Sequence, residues 1–242
     1  MSDSSNDLVT DLLIIGSGAG GLSCALQAAK AGLSVLLLTN AEDPSESNSD
    51  RAQGGIVARP PGDTAEALAA DIAAAGDGLC HPEAVRLLAE SVPDVVDRFL
   101  IRELGVQFDR GPDGTLDYTQ EAAHSIRRIV HADDATGHAI SQPLLAAARA
   151  HPQVQIMPQQ SAVDLITTPH HALDPLTVYH DIECLGAYVL ERPSGTVRRV
   201  FAPCTVLATG GLGQLYLHTT NSRVARGDGL AMAYRAGAAI IN

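Results

Sequence analysis

An α/β fold, an open parallel sheet carrying a small antiparallel meander, is what this sequence predicts, and three observations carry the prediction. The first is the run LLIIGSGAGGLSCALQAAKAG at residues 12–32, which reads as strand, tight glycine turn and helix without a break. The second is the pair of short, wholly apolar runs 12–15 and 35–38, the pattern of strands buried on both faces of a parallel sheet. The third is the order of segments, βαβ, then helices, then a meander, then a return to βα.

The elements follow in order. Strands are expected at 10–15 and 34–39, around a helix at about 18–31. From Glu42 to Asp63 the chain is polar and glycine-rich, closing on Pro60-Pro61-Gly62, which is long for a plain loop. An alanine-rich helix is expected over 64–75, capped by Asp63 or Thr64. His81-Pro82-Glu83 opens a helix that runs to about Leu104, bent at Pro93 and ended by Gly105. Val106 to Phe108 reads as a short strand, and Asp109 to Gly114 as a turn. Ser141-Gln142-Pro143 reads as the cap of a short helix to about Ala150. Strands follow at 153–157 and 160–167, then a hairpin of 182–191 and 196–202 around Pro193-Ser194-Gly195. Cys204 to Thr209 is a buried strand ending in Gly210-Gly211. A last helix spans Leu230 to Ala236, and Ala238 to Ile241 reads as the start of another strand. The chain stops inside that apolar run, so it is expected to be part of a longer protein.

The glycine turn carries chemistry. A G-x-G-x-x-G spacing between a strand and a helix is the fingerprint of a dinucleotide site. Gly16 permits the tight turn, Gly18 admits a pyrophosphate close to the backbone, and Gly21 lets the helix pack on its strand. Amide groups at the helix start favour phosphate charge. The fold is therefore Rossmann-like. The second strand ends on Thr39-Asn40, with no acid until Glu42, where a nicotinamide dinucleotide site places a ribose-binding carboxylate. That weakens NAD and leaves FAD open.

Composition sets the bounds. The hydrophobic share of 45% supports a substantial core, and with only 3% aromatics and no Trp that core must be aliphatic. A net charge of −12 argues against a nucleic-acid groove or an anionic membrane surface as partner. Cys24, Cys80, Cys184 and Cys204 are far apart and form no CxxC pair, which reads as reduced thiols in a cytoplasmic protein. No run is long enough for a membrane span, and the polar N-terminus lacks the pattern of a secretory signal. No metal site is expected, since His124, His131 and His138 lack zinc-ligand spacing.

Other candidate positions each have a bland alternative. Asn48, Ser49, Asp50, Arg51, Ala52, Gln53, Gly54 and Gly55 follow the second strand and can expose backbone amides to a cofactor; the alternative is a solvated loop. Thr209 and Gly210 end a strand at the carboxyl edge of the sheet, where ligands bind; the alternative is an ordinary turn. Asp228 stands at a helix entrance, where a carboxylate also serves as a cap. Glu121 lies in the run 119–137 with His124, Arg127, Arg128 and His131, which by residue type alone reads as a solvated charged face.

In combination, IIGSGAGGLSCAL, AQGGI, EAAHSIRRIVHADDATG, VLATGG and RGDGLAMAYRAGA resemble the L-aspartate oxidases of the fumarate reductase and succinate dehydrogenase flavoprotein superfamily. The resemblance covers essentially the whole chain. It implies that residues 1–242 are the N-terminal part of an FAD-binding domain, without the capping and C-terminal helical domains. It implies that Ser17, Gly18, Ala19 and Gly20 hold the pyrophosphate, that Asn48 to Gly55 wrap the flavin, and that Asp228 contacts the cofactor. Glu121 is implied to orient L-aspartate through its ammonium group. The implied reaction oxidises aspartate to iminoaspartate with O2 or fumarate as acceptor, the first step of NAD biosynthesis, with quinolinate synthase as downstream partner. No histidine stands in Asn48 to Arg51 to link a flavin, so FAD is expected to be bound non-covalently. Ala122-Ala123 departs from the paired glycines usual in the family.

Overall fold

A computed structural model describes residues 7–121, 123–169 and 172–241. The chain divides into two compact units, one of residues up to 49 and from 144 onward, the other of residues 50–143. In chain order the strands are β1 (Leu8–Val9), β2 (Leu12–Ile15), β3 (Val35–Leu38), β4 (Ile56–Val57), β5 (Ile129–Val130), β6 (Val154–Met157), β7 (Gln160–Thr167), β8 (Cys184–Glu191), β9 (Thr196–Phe201) and β10 (Cys204–Leu207). The α-helices are α1 (Ala19–Lys30), α2 (Ala65–Ala75), α3 (Pro82–Pro93), α4 (Thr136–Ala150) and α5 (Asp228–Arg235).

In the first unit a parallel sheet runs β10-β2-β3-β6, and a second sheet runs β1-β9-β8-β7. Every residue of β2 and β3 is buried, as strands covered on both faces require. Period-two alternation sends Leu13, Ile15, Leu36 and Leu38 into one cluster with Leu165, Ala187, Val189 and Val200 of the meander. Helix α1 buries Leu22, Ala25, Leu26 and Ala29, an i, i+3, i+4, i+7 stripe that packs on the parallel sheet. The strand expected at 10–15 is shortened to Leu12–Ile15, and a separate short strand precedes it. Asp11 leaves the ladder, and Leu8–Val9 pairs in parallel with β9 in the other sheet. The hairpin of β8 and β9 forms as expected, in register from Gly186↔Phe201 to Glu191↔Thr196. Ala238 to Ile241 forms no strand.

In the second unit Thr64, not Asp63, caps α2, its hydroxyl accepting the Ala67 N–H at 3.1 Å. The helix from Pro82 stays α-helical to Pro93 and continues to Glu103 with π-helical hydrogen bonding. The change falls at the residue that has no N–H to donate. Val106 to Phe108 is not a strand. Val106 and Phe108 are buried, and the Val106 N–H returns to the Leu100 carbonyl at 2.9 Å. The expected cap at Ser141-Gln142-Pro143 is also corrected. Helix α4 starts five residues earlier at Thr136, with Pro143 inside it, and continues into the first unit, where buried Leu144, Leu145 and Ala148 supply the packing that outweighs a lost backbone bond. Inside the long polar loop, Ile56–Val57 pairs antiparallel with β5.

Candidate functional site

The glycine turn is built by close packing of three backbone segments. Gly16 has φ +120°, its N–H donates to the Leu38 carbonyl at 2.8 Å, and a Cβ on it would lie 2.2 Å from the Ala208 carbonyl oxygen. A Cβ on Gly21 would lie 2.0 Å from the Gly16 carbonyl oxygen. These two glycines exist for the packing of the turn on its neighbours. Gly18 is the residue before α1 and offers no side-chain cap to the first helical amides. One of them, the Ala19 N–H, donates to Ser49 Oγ at 3.1 Å. A Cβ on Gly20 meets nothing within 4 Å.

Over this turn lies a cavity of about 320 Å3. Among the sequence-predicted residues, Gly16, Ser17, Gly18, Ala19, Gly20, Asn48, Ser49, Thr209, Gly210 and Asp228 line it. Gly21 does not; it is buried beneath the turn. The lining also includes Thr39 and Asn40 from the end of β3, Glu46, and Gln160 to Ala162 at the start of β7, where a register shift follows Ala162. Sequence reading missed the β7 contribution, because nothing local marks a strand start as a cavity wall. No Lys or Arg is among the described lining residues. Negative charge on a ligand must therefore be met by backbone amides and the α1 dipole. Asp228 enters α5 behind Gly227 and is paired with Arg226, whose Nη2 stands 2.6 Å from its Oδ2.

The remaining predicted residues belong to the second unit. Asp50 Oδ1 takes hydrogen bonds from Gln142 Nε2 at 3.0 Å and His138 Nδ1 at 3.1 Å. The Ala52 carbonyl accepts the Gly137 N–H at 2.8 Å. Gly55 packs so closely on β5 that a Cβ would lie 2.3 Å from Ile129 Cγ2. Arg51, Gln53 and Gly54 are exposed. So is Glu121, at the start of a turn in which its carbonyl accepts the His124 N–H at 3.3 Å. Ala122 lies outside the described residues, and Ala123 has φ +72°, a left-handed conformation in which alanine is strained.

The run 119–137 is only partly the solvated face expected of it. Arg128 is completely buried, with Nη2 3.3 Å from Asp63 Oδ1 and Nη1 3.1 Å from Asp71 Oδ2. Asp71 Oδ2 also accepts the Ser125 N–H and hydroxyl, at 2.8 and 2.9 Å. The Ser125 N–H foremost, then its hydroxyl and the charges of Arg128 and His124, hold the Asp71 carboxyl below its ordinary value. Asp109 is likewise held down, by the Asp133 N–H and by His131 Nδ1 at 2.8 Å. No group of three His, Cys, Asp or Glu side chains among the described residues can hold a metal ion, and no described helix is long and apolar enough to cross a membrane.

A cavity walled by a glycine turn at a helix start, reached by the carboxyl ends of parallel strands, is a dinucleotide site in form. The model of the FAD binding domain family matches residues 11–242. This chain belongs to that family. The fit of FAD to the residues present is direct. Gly16, Gly18 and Gly20 present bare backbone to the cavity, and polar groups from four segments ring it. Among relatives of this FAD binding domain is an L-aspartate oxidase of Halobacterium salinarum, 44% identical over 95% of this chain and 43% of its own length. Another, from Pseudomonas aeruginosa, is 43% identical over 96% of this chain and 43% of its length. The chain thus spans less than half the length of these curated relatives. The fold is shared with a quinol fumarate reductase from E. coli at 27% identity and a TM-score of 0.84, covering 95% of this chain and 37% of that one.

Proposed function

We propose that residues 1–242 are the N-terminal, cofactor-holding part of an FAD-dependent oxidase of L-aspartate. The observation that carries the proposal is the glycine-turn cavity in a chain 44% identical to an L-aspartate oxidase. Ser17, Gly18, Ala19 and Gly20 hold the pyrophosphate at the start of α1, and Asp228 and the stretch from Asn48 to Gly55 serve the rest of the cofactor. When bound, FAD supplies the hydride acceptor. Aspartate loses its Cα hydrogen as hydride and a proton from nitrogen, giving iminoaspartate, and the electrons pass on to O2 or fumarate. The product suits the first step of NAD biosynthesis, with quinolinate synthase as consumer. Glu121 supplies the carboxylate that pairs with the substrate ammonium and so tells aspartate from succinate.

Two measurements test this. In the protein that carries this chain, anaerobic L-aspartate is expected to bleach the flavin absorbance and succinate is not. Glu121→Gln is expected to lower kcat/KM for aspartate by about 10- to 100-fold, the loss of one charge-assisted hydrogen bond, while fumarate reduction is kept. Bleaching by succinate and not by aspartate assigns the chain to the fumarate reductase type instead. Because Asn48 to Arg51 contains no histidine, acid precipitation is expected to leave the yellow colour in the supernatant. Colour in the pellet would contradict non-covalent binding.

A further inference from the structure

Asn48 lines the cavity, yet the protein itself uses both ends of its side-chain amide. Its Oδ1 accepts the Ser222 N–H at 2.6 Å, and its Nδ2 donates to Asn221 Oδ1 at 3.0 Å. The partner turn is held firmly from behind. Gln214 Nε2 donates to the Asn221 carbonyl at 2.8 Å, and the Gln214 N–H donates to the Ala225 carbonyl at 2.9 Å. Gly213 packs so tightly there that a Cβ would lie 2.4 Å from Asn221 Oδ1. Ser222 is fully buried, and its hydroxyl donates to Glu46 Oε1 at 3.3 Å. On the other side of Asn48, Ser49 Oγ accepts the Ala19 N–H. The stretch 46–49 is thus fastened at one end to the first turn of α1 and at the other to the segment that follows β10. Glu46 to Ser49 and Val224-Ala225 are both cavity wall.

We infer that Asn48 is a positioning residue, a clasp that holds two walls of the FAD cavity at a set separation, and that Asn221 and Ser222 are its catch. The inference rests on FAD occupying this cavity. An amide suits the task because one planar group presents a donor and an acceptor together. Aspartate lacks the donor, and serine lacks the reach to both partners. Asn221 is not among the lining residues, so it acts on the cofactor only through the clasp.

The test uses the full chain with Asn48→Ala, Asn221→Ala and the double variant. FAD dissociation constants come from flavin fluorescence, the bound flavin is followed by visible circular dichroism, and the cofactor-free proteins are melted. Each single variant is expected to weaken FAD about 10-fold, the effect of losing one or two hydrogen bonds at the cavity wall, and to alter the flavin dichroism. The double variant is expected to be no weaker than the worse single one. Asn221→Asp keeps the acceptor for Asn48 Nδ2 and is expected to bind FAD within about 3-fold of the parent. If Asn221→Ala binds FAD normally while Asn48→Ala does not, Asn48 is a direct ligand and the clasp is refuted. Multiplying effects in the double variant refute it as well. So does a lowered melting temperature with normal FAD affinity and dichroism, which marks a role in stability alone. Gly18→Val is the control for the cavity. If it folds and keeps FAD, the cofactor lies elsewhere, and the assignment of the cavity falls along with the clasp.

Discussion

Gly16→Ala is expected to destabilise the protein by roughly 3–5 kcal/mol, combining strain at a positive φ with an overpacked contact. The φ of +120° is one that a side chain rarely tolerates. The added Cβ would also stand 2.2 Å from the Ala208 carbonyl oxygen and 2.6 Å from its carbon. Neither neighbour can move aside. Ala208 donates its N–H to the Ile15 carbonyl at 2.8 Å, and β10 runs in register with β2 from Cys204↔Leu12 to Leu207↔Ile15. Relief of the clash means pulling the edge strand β10 away from β2. Against a total stability of about 5–15 kcal/mol, such a loss removes a large share of the margin. Gly20→Ala is the matched comparison, since its Cβ meets nothing and lies on a helix. It is expected to hold or slightly raise the unfolding midpoint. Urea denaturation followed by far-UV dichroism checks both, and a parental midpoint for Gly16→Ala would refute the packing account.

Arg128→Met is expected to cost about 3–5 kcal/mol, because it leaves a buried carboxylate without its partner. Asp63 is 1% exposed in its side chain, and the guanidinium of Arg128 is the cation facing it. Lysine is not expected to rescue, since one ammonium cannot span Asp63 and Asp71 as the guanidinium does. The double variant Arg128→Met with Asp63→Leu is expected to recover much of the loss, as a well-packed apolar replacement removes the stranded charge. Acid titration probes the same cluster. The folded-state pKa of Asp71 is depressed, so its contribution is fully present above the ordinary carboxylate value and is lost as pH falls through the depressed one. Stability of the parent is expected to fall below about pH 4. Asp71→Asn is expected to flatten that acid limb. An unaltered limb in Asp71→Asn, or a parental urea midpoint in Arg128→Met, would show that the cluster contributes nothing to folding.

Much of the nucleotide-binding unit was legible in the sequence because its signals are local. Four apolar residues, a glycine turn and an amphipathic helix stand within residues 12–30, and each element needs only its own neighbours to be recognised. The β8–β9 hairpin and the Thr64 cap were readable for the same reason. Ten of the predicted cofactor residues meet at one cavity because parallel strands deliver their carboxyl ends to one edge.

What only the tertiary structure decided are features whose cause lies far off in the chain. The glycine spacing assigned Gly16 to the turn and Gly21 to helix packing, but only the fold showed that the Ala208 and Gly16 carbonyls are what stand against them. Ser141-Gln142-Pro143 reads as the start of a helix, yet Pro143 sits inside α4, because apolar burial along that helix outweighs one lost hydrogen bond. Asn48 reads as part of a polar loop, and only the fold brings Asn221 and Ser222 from far along the chain to its side-chain amide. Arg128, one of two adjacent arginines in a polar run, becomes a fully buried cation because Asp63 and Asp71 close over it. Local composition states which groups are available. Burial and pairing depend on which remote groups come to meet them, and that is settled by packing.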